Sequence, residues 1–148
     1  RETMFYRGLI VAFTVLIGGL IWSNQVDPAR ANEINLSKEN VSPPITTVSS
    51  IEKINFAKYL NDNNIVMYSA YWCPHCNDQK QLFGKKAVEE LIIIECAKDG
   101  KDNKYNLCQQ KGIEGFPSWE INDEIYSGTV SLNELAEMTN YDGDINFE

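Results

Sequence analysis

The sequence predicts an α/β domain with a central mixed sheet and flanking helices, preceded by an N-terminal hydrophobic helix. Two apolar runs of strand length, residues 65–70 and 92–96, are separated by a helical pattern, which is typical of parallel strands joined by a crossover helix. A hairpin pattern follows, in which short apolar segments flank residues 122–124. With 148 residues and 43% hydrophobic content, the chain supports one globular domain and little else.

The composition excludes one class of partner and leaves one question open. The formal charge is −8 and the sequence has no basic stretch to neutralise phosphates, which argues against a nucleic-acid partner. The chain contains four cysteines, an even count. Whether such cysteines form disulfides or bind a metal depends on the compartment in which the domain folds.

The N-terminal segment predicts that compartment. Arg1 and Arg7 precede the uncharged run 8–22, whose length lies between that of a signal-peptide core and the roughly 20 residues of a full membrane span. Small residues downstream fit a cleavage site near Ala31. We interpret residues 1–31 as a signal or a single membrane anchor, and favour the anchor because Ala31 lies far from the apolar run. Basic charge before the run predicts that everything after it is exported into a space that permits disulfides.

A linker separates this segment from the predicted domain. Residues 32–48 are polar, include two adjacent prolines and show no sustained period. The domain is predicted over residues 49–140, and an acidic tail follows it over residues 141–148.

The first helix and strand of the domain have local signals. Ser49 and Glu52 form a capping-box pattern, and apolar residues near helical spacing predict a helix over residues 50–61. The polar residues 62–64 end this helix. The continuous apolar run 65–70 is typical of a strand that is covered on both faces.

The next helical pattern opens with residues 71–76, Tyr-Trp-Cys-Pro-His-Cys. A cysteine in the first turn of a helix faces unpaired backbone N–H groups and the positive end of the helix dipole, so Cys73 is the candidate nucleophile. Cys76, one turn further in, can attack a mixed disulfide on Cys73 and release the partner. Pro74 suits the first turn, where its missing N–H has no intrahelical partner. His75 is the only histidine, and it is predicted to make the disulfide more oxidising by favouring the thiolate.

Two further helical segments surround the second strand. The helix that follows the cysteines is predicted to break or kink at Gly84, ahead of residues 85–91. After the strand, residues 105–111 predict a short helix that carries Cys108 and stops at Gly112.

The C-terminal part of the domain starts with residues 115–119, Gly-Phe-Pro-Ser-Trp. Residues 120–121 and 125–126 then predict two short strands joined as a hairpin. Ser131 and Glu134 make a second capping box, which starts a final helix with one apolar face.

This order of elements resembles the thioredoxin fold over about residues 50–139. The most specific motifs are residues 72–76 and the Gly-Phe-Pro sequence that ends at Pro117. In that family the matching proline is cis and packs beside the active-site disulfide, and the residue before it borders the substrate groove. The resemblance therefore implies that Phe116 and Pro117 support the active site. Trp72 is interpreted as part of the rim of the site, with either packing or client contact as its role.

A closer resemblance covers residues 70–76, Cys96, Cys108 and residues 115–121. These are similar to the thioredoxin-like domain fused to bacterial and plant homologues of vitamin K epoxide reductase. The resemblance implies a domain that faces the periplasm or thylakoid lumen, exchanges disulfides with exported protein clients, and is reoxidised by a quinone-linked membrane oxidoreductase. Because one apolar segment precedes the domain here, we expect that oxidoreductase to be a separate membrane partner.

Two positions in the sequence bear on the direction of electron flow. Thioredoxins that act as reductants carry a buried acidic residue six positions before the first cysteine, where this chain has Met67. The Cys-Pro-His-Cys sequence with His75 resembles the centre of periplasmic disulfide oxidases. Both features favour oxidation or isomerisation of clients, with a periplasmic thiol reductase as the alternative.

The remaining cysteines have two interpretations. Cys96 ends a strand and Cys108 lies on the next helix, a separation that a structural disulfide spans if the two elements pack together. The related fused domains carry a second pair that matches this one, so we favour a structural bridge over a pair that relays electrons to Cys73.

Zinc binding is the rival chemistry from another class. It would use Cys73, Cys76 and His75 with one or both of Cys96 and Cys108, but the second Cys-x-x-Cys or His-x-His spacing typical of structural zinc sites is absent from the sequence. We therefore expect no metal, and no cofactor besides the redox-active Cys73–Cys76 disulfide. A non-enzymatic interaction module remains the further alternative.

Overall fold

Four strands form one mixed sheet in the order β2-β1-β3-β4. The computed structural model describes residues 40–148, and the predicted N-terminal segment and the first part of the predicted linker lie outside these residues. Strand β1 pairs in parallel with β2 and antiparallel with β3, and β3 pairs antiparallel with β4. The strands are β1 (Val66–Ser69), β2 (Ile92–Glu95), β3 (Ser118–Ile121) and β4 (Glu124–Ser127).

Helices flank this sheet, which confirms the predicted thioredoxin-like α/β fold. Within residues 40–148, no helix combines the length and apolar character needed to cross a membrane. The predicted N-terminal hydrophobic helix lies outside the described residues. The helices are α1 (Ile51–Asp62), α2 (Pro74–Phe83), α3 (Lys85–Val88), α4 (Tyr105–Gln110) and α5 (Leu132–Met138).

The register of the sheet brings three chain segments to one edge. Ser69, the last residue of β1, is paired with Glu95, the last residue of β2. The Cys96 N–H donates to the Ser69 carbonyl at 2.8 Å. Tyr68 is paired with Ser118, the first residue of the antiparallel strand β3. The segment that opens α2, the end of β2 and the start of β3 therefore meet at the carboxyl end of β1.

Two apolar clusters cover the sheet. Met67 belongs to the larger one and Tyr68 to the smaller one, as expected for neighbours on a strand, whose side chains point to opposite faces. The larger cluster contains helices α1, α2 and α5 and is built around fully buried side chains, including Phe56, Leu60, Phe83, Trp119 and Leu135. The smaller cluster consists of Tyr68, Cys96, Cys108 and Ile113.

The start of helix α1 differs from the predicted capping box by one residue. Ser50, not Ser49, is the N-cap, and its hydroxyl accepts from the Lys53 N–H at 3.3 Å. The Ser49 hydroxyl instead accepts from the Ala87 N–H at 2.9 Å. Ser49 thus holds helix α3, which ends at Val88, earlier than the predicted residue 91.

The predicted hairpin is confirmed, and its turn is one that twisted strands favour. Asn122 and Asp123 have φ values of 51° and 66°, as both central residues of a type I′ turn require. The predicted cap of the last helix is also confirmed, since the Ser131 hydroxyl accepts from the Glu134 N–H at 3.2 Å.

Segments at both ends of the described region contact the domain. The N–H groups of Thr46 and Thr47 donate to Gln81 Oε1 at 3.1 and 3.2 Å. From the predicted acidic tail, the rings of Tyr141 and Phe147 lie 4.8 and 5.2 Å from the Phe56 ring. The domain core thus includes aromatic side chains that follow the last helix.

Gly84 provides a test of the α2–α3 break. It has φ 85° and ψ 167°, and a Cβ there would lie 2.7 Å from the backbone of Val48 and Ser49. We expect Gly84→Ala to lower the free energy of unfolding by about 1–3 kcal/mol through backbone strain, and by a further amount through the clash with Val48 and Ser49, measured by urea denaturation. Gly112→Ala is the matched control, because Gly112 has φ 68° but open space around it, so roughly 1 kcal/mol is expected. Equal losses in both variants would contradict the close approach at Gly84.

Candidate active site

Helix α2 begins at the Cys-Pro-His-Cys sequence. Cys73 is its N-cap, and the Cys73 Sγ accepts from the Cys76 backbone N–H at 3.2 Å. Pro74 occupies the first helical position, as its missing donor allows. A turn joins this helix to β1, with the Cys73 N–H donating to the Ala70 carbonyl at 3.0 Å. The sulfur of Cys73 therefore takes the place of the side-chain oxygen that usually caps a helix.

Cys76 lies on the inner side of the pair. Both cysteines are free thiols, and Cys76 is only 1% exposed. Burial raises the pKa of the Cys76 thiol to about 12, and the Cys73 sulfur adds to this increase, whereas the Ala70 backbone and the Ser69 hydroxyl lower it. Cys76 is therefore protonated at neutral pH in the reduced pair. Part of the increase depends on Cys73 and would be removed when Cys73 enters a mixed disulfide.

The opposite wall of the site is the loop before β3. The Phe116–Pro117 peptide bond is cis, and Pro117 is fully buried. The Cys73 thiol donates to the Phe116 carbonyl at 3.6 Å. The structure thus brings Cys73 together with Phe116, which is 43 residues away in the sequence.

An aromatic rim borders Cys73. Trp72 is 60% exposed, and its ring makes an edge-to-face contact with the Phe116 ring at a centroid distance of 6.1 Å. Phe116 is half-buried and packs against both apolar clusters. The rim, defined here as Trp72 and Phe116, presents apolar surface next to a reactive sulfur.

His75 lies on the outer face of helix α2. Its side chain is 73% exposed, and Nδ1 lies 3.7 Å from Asp78 Oδ2. The His75 carbonyl accepts from the Thr129 hydroxyl at 3.4 Å. The imidazole is therefore between the two cysteines in sequence but faces solvent, where it can act on the site only through its charge.

Cys96 and Cys108 form a disulfide with a Cα–Cα distance of 5.8 Å. Both are buried in the smaller cluster, whereas Cys73 and Cys76 belong to the larger one. The bridge ties helix α4 to the end of β2. Within residues 40–148, no group of three His, Cys, Asp or Glu side chains is placed to hold a metal ion.

Sequence reasoning missed two buried polar residues on helix α2. Gln79 is fully buried, and it exchanges hydrogen bonds of 2.8 and 2.9 Å with the Val130 backbone and accepts from Trp119 Nε1 at 3.3 Å. Lys80 is 6% exposed and lies one turn after Cys76. The available signal was spacing, because Cys73, Cys76 and Lys80 follow each other at intervals of three and four residues and so share a helix face.

The sequence profile of the thioredoxin family matches residues 47–140. A thiol-disulfide oxidoreductase of Arabidopsis thaliana, LTO1, is 43% identical over 148 residues, an alignment that covers 95% of this chain and 39% of the relative. The match therefore extends beyond the residues that the family profile covers.

More distant similarity connects the chain to disulfide isomerases. A protein disulfide-isomerase of Aspergillus niger is 26% identical over 82 residues, and protein disulfide-isomerase A5 of Bos taurus is 31% identical over 80 residues. Each alignment covers 50% of this chain and 15% of the relative. The chain thus spans well under half the length of these curated relatives.

The two interpretations of Cys96 and Cys108 make different predictions for a Cys96→Ala/Cys108→Ala variant. A structural bridge that closes this loop is worth about 3 kcal/mol in the chain-entropy model, so we expect that loss in the free energy of unfolding. We also expect the rate of thiol exchange at Cys73 to stay within about twofold, because the two pairs lie in different clusters. Unfolding in urea and stopped-flow exchange with a small disulfide measure the two effects. A selective loss of exchange with little loss of stability would favour the relay.

Proposed function

The chain belongs to the thioredoxin family, and from this premise we propose that it is an exported thiol:disulfide oxidoreductase that passes its Cys73–Cys76 disulfide to thiols of secreted or lumenal proteins. One observation carries the proposal. A pair of free cysteines starts helix α2, and the outer sulfur lies beside the carbonyl that precedes a cis proline. The 43% identity to a thiol-disulfide oxidoreductase supports it.

The chemistry is a two-electron exchange. A client thiolate attacks Cys73 Sγ in the oxidised pair, the Cys73–Cys76 bond breaks, and Cys76 leaves as a thiolate that takes up one proton. A second client thiolate then attacks the client sulfur of the mixed disulfide, and Cys73 leaves as a thiolate. The client gains a disulfide and the Cys73–Cys76 pair gains two electrons. Cys73 accepts the client because it lies at the start of the helix beside the Phe116 carbonyl, whereas Cys76 lies one turn further in and is 1% exposed.

The rim and the cis-proline loop position the client. Phe116 offers its carbonyl beside the reacting sulfur, and the Trp72–Phe116 rim offers apolar surface next to it. An extended client segment could bind along this loop through its backbone while a side chain contacts the rim. Pro117 supports the loop from the buried side.

The reduced pair needs an electron acceptor. We assign this role to a quinone-linked membrane oxidoreductase resembling vitamin K epoxide reductase. The proposed location is the periplasmic or thylakoid-lumen side of a membrane, with the chain anchored by the segment over residues 1–31 or released after cleavage near Ala31. The basic residues before the apolar run and the similarity to LTO1 support this assignment.

The direction of exchange is proposed as oxidation of clients. Met67 is fully buried in the same cluster as Cys73 and Cys76, so the position of the reductant carboxylate is apolar. The disulfide-isomerase relatives favour isomerisation as the second candidate. Zinc binding has less support, because Cys96 and Cys108 are joined to each other.

The midpoint potential distinguishes an oxidase from a reductase. In a glutathione redox titration with thiol trapping, we expect a midpoint well above the roughly −270 mV of thioredoxin. His75→Ala should lower the midpoint, because a protonated imidazole near the pair would stabilise the thiolates of the reduced form. Lys58→Ala, an exposed change on helix α1, is the control and should leave it unchanged. A wild-type midpoint near that of thioredoxin would contradict the oxidase and favour a reductase.

Client exchange is tested by trapping. In a Cys76→Ala variant, the Cys73 thiolate attacks a disulfide of an oxidised, scrambled secreted protein such as ribonuclease A, and no Cys76 thiol is present to release the mixed disulfide, so adducts should accumulate. Cys73→Ala/Cys76→Ala is the control and should form none. Non-reducing gels and mass spectrometry identify the adduct and the cysteine that carries it. If no Cys73 adduct forms with the Cys76→Ala variant, the domain binds clients without exchanging disulfides.

A further inference from the structure

A buried lysine lies on the inner side of the cysteine pair. Lys80 is 6% exposed, and its Nζ donates to the Ser42 hydroxyl at 2.9 Å. None of the ion pairs within residues 40–148 includes Lys80. A buried ammonium with one neutral partner is costly, and lysines are rarely buried without a compensating charge. Its presence beside a redox pair therefore calls for a function.

Two of the three groups that attract Lys80 are the active-site cysteines. Burial lowers the pKa of Lys80, and attraction by Cys76, Glu95 and Cys73 opposes this effect, in that order. Glu95 Oε1 already accepts from the backbone N–H groups of Ala97 and Tyr71, at 2.8 and 3.2 Å. Of these three groups Cys76, one helical turn before Lys80, attracts it most strongly, and it does so as a thiolate.

A second buried polar group acts on Cys76. Ser69 is fully buried at the end of β1, and its hydroxyl has no hydrogen-bond partner within the part of the chain that the structure describes. This hydroxyl lowers the pKa of Cys76, the direction expected of a donor to the thiolate. A thiolate at Cys76 would give the hydroxyl the acceptor that it lacks in the thiol form.

We propose that Lys80 is the buried acid and base that exchanges a proton with Cys76, and that the Ser69 hydroxyl donates to the Cys76 thiolate while it exists. This inference rests on the proposed function and assigns the proton step of that reaction. Thioredoxins that act as reductants have a buried carboxylate on β1 at the position of Met67. In this chain, the amine of Lys80 on helix α2 would take over its exchange of protons.

The protons balance in both directions. When a client thiolate opens the Cys73–Cys76 disulfide, Cys76 leaves as a thiolate, and the Lys80 ammonium gives it a proton and becomes an amine. The amine recovers a proton from solvent on the Ser42 side. When Cys76 attacks a mixed disulfide, the Lys80 amine takes the thiol proton and the expelled thiolate carries away the negative charge. Proton transfer from Lys80 to the thiolate is favoured because burial raises the pKa of Cys76 and lowers that of Lys80. In the reverse step Cys73 is part of the mixed disulfide, so its contribution to the raised pKa of Cys76 is lost, which favours transfer of the thiol proton to the amine.

The test separates attack on Cys73 from resolution by Cys76. The reduced full chain is mixed with 5,5′-dithiobis(2-nitrobenzoate) in a stopped-flow instrument. The first release of thionitrobenzoate reports attack by Cys73, and the second reports resolution of the mixed disulfide by Cys76. We expect Lys80→Met to slow only the second phase, by about tenfold or more at neutral pH, and to change its pH dependence.

Two further variants address charge and stability. Lys80→Arg keeps a positive charge but cannot act as a base, so it should be as slow as Lys80→Met. Ser69→Ala should slow the second phase severalfold without lowering the melting temperature, because the hydroxyl has no partner to lose in the reduced protein. It therefore tests the proposal even if a substitution at Lys80 disturbs folding. Lys86→Met, at a lysine whose side chain is 71% exposed, is the matched control and should change neither phase.

The outcomes distinguish this inference from the function on which it rests. Absence of the first phase in the wild-type protein would count against thiol exchange itself. A normal first phase, with a second phase unchanged in Lys80→Met and Ser69→Ala, would overturn the role of Lys80 and Ser69 alone. A second phase restored by Lys80→Arg would overturn proton exchange.

Discussion

The site depends on the way the Cys73 sulfur caps helix α2 at the point where β1 leaves the sheet. The cap is made by the Cys76 N–H, so one hydrogen bond both starts the helix and sets the spacing between the two cysteines. Helix α2 packs against the central strand β1, and Cys76, one turn into the helix, is therefore buried between them. The outer cysteine thus lies beside the rim, and the inner one is shielded from solvent. This asymmetry underlies the division of roles between Cys73 and Cys76.

Several contacts hold helix α2 in the orientation that this junction requires. Gln79 ties its buried face to Val130 and Trp119, and Gly84 lets the chain turn closely past Ser49 where the helix ends. On the opposite side, the Cys96–Cys108 bridge and Tyr68 form the cluster against which Phe116 packs. Phe116 also packs against the larger cluster, so both apolar clusters support the loop that faces the Cys73 sulfur.

Burial of Cys76 disfavours its thiolate, and polar residues around it can offset this effect. A deeply buried thiol resists ionisation, yet disulfide exchange forms a thiolate at Cys76 in each direction of the reaction. Met67 makes the adjacent part of β1 apolar, whereas Lys80 and Ser69 provide polar groups on the inner side of the pair. His75 is exposed, so its influence is weakened by solvent. The buried and the exposed side of helix α2 would thus regulate different cysteines, the inner side Cys76 and the outer side Cys73.

The sequence by itself determined the order and type of the elements, the start of helix α2 at Cys73 and the turn at Asn122, because caps, periodicity and turn residues act over a few positions. Only the tertiary structure decided which distant groups meet. Ser49 leaves its predicted capping role for the Ala87 N–H, Cys73 meets the Phe116 carbonyl, and Lys80 becomes buried beside Cys76. Each of these outcomes depends on how helices and strands pack over one another, and a local pattern carries no information about the partner that packing brings.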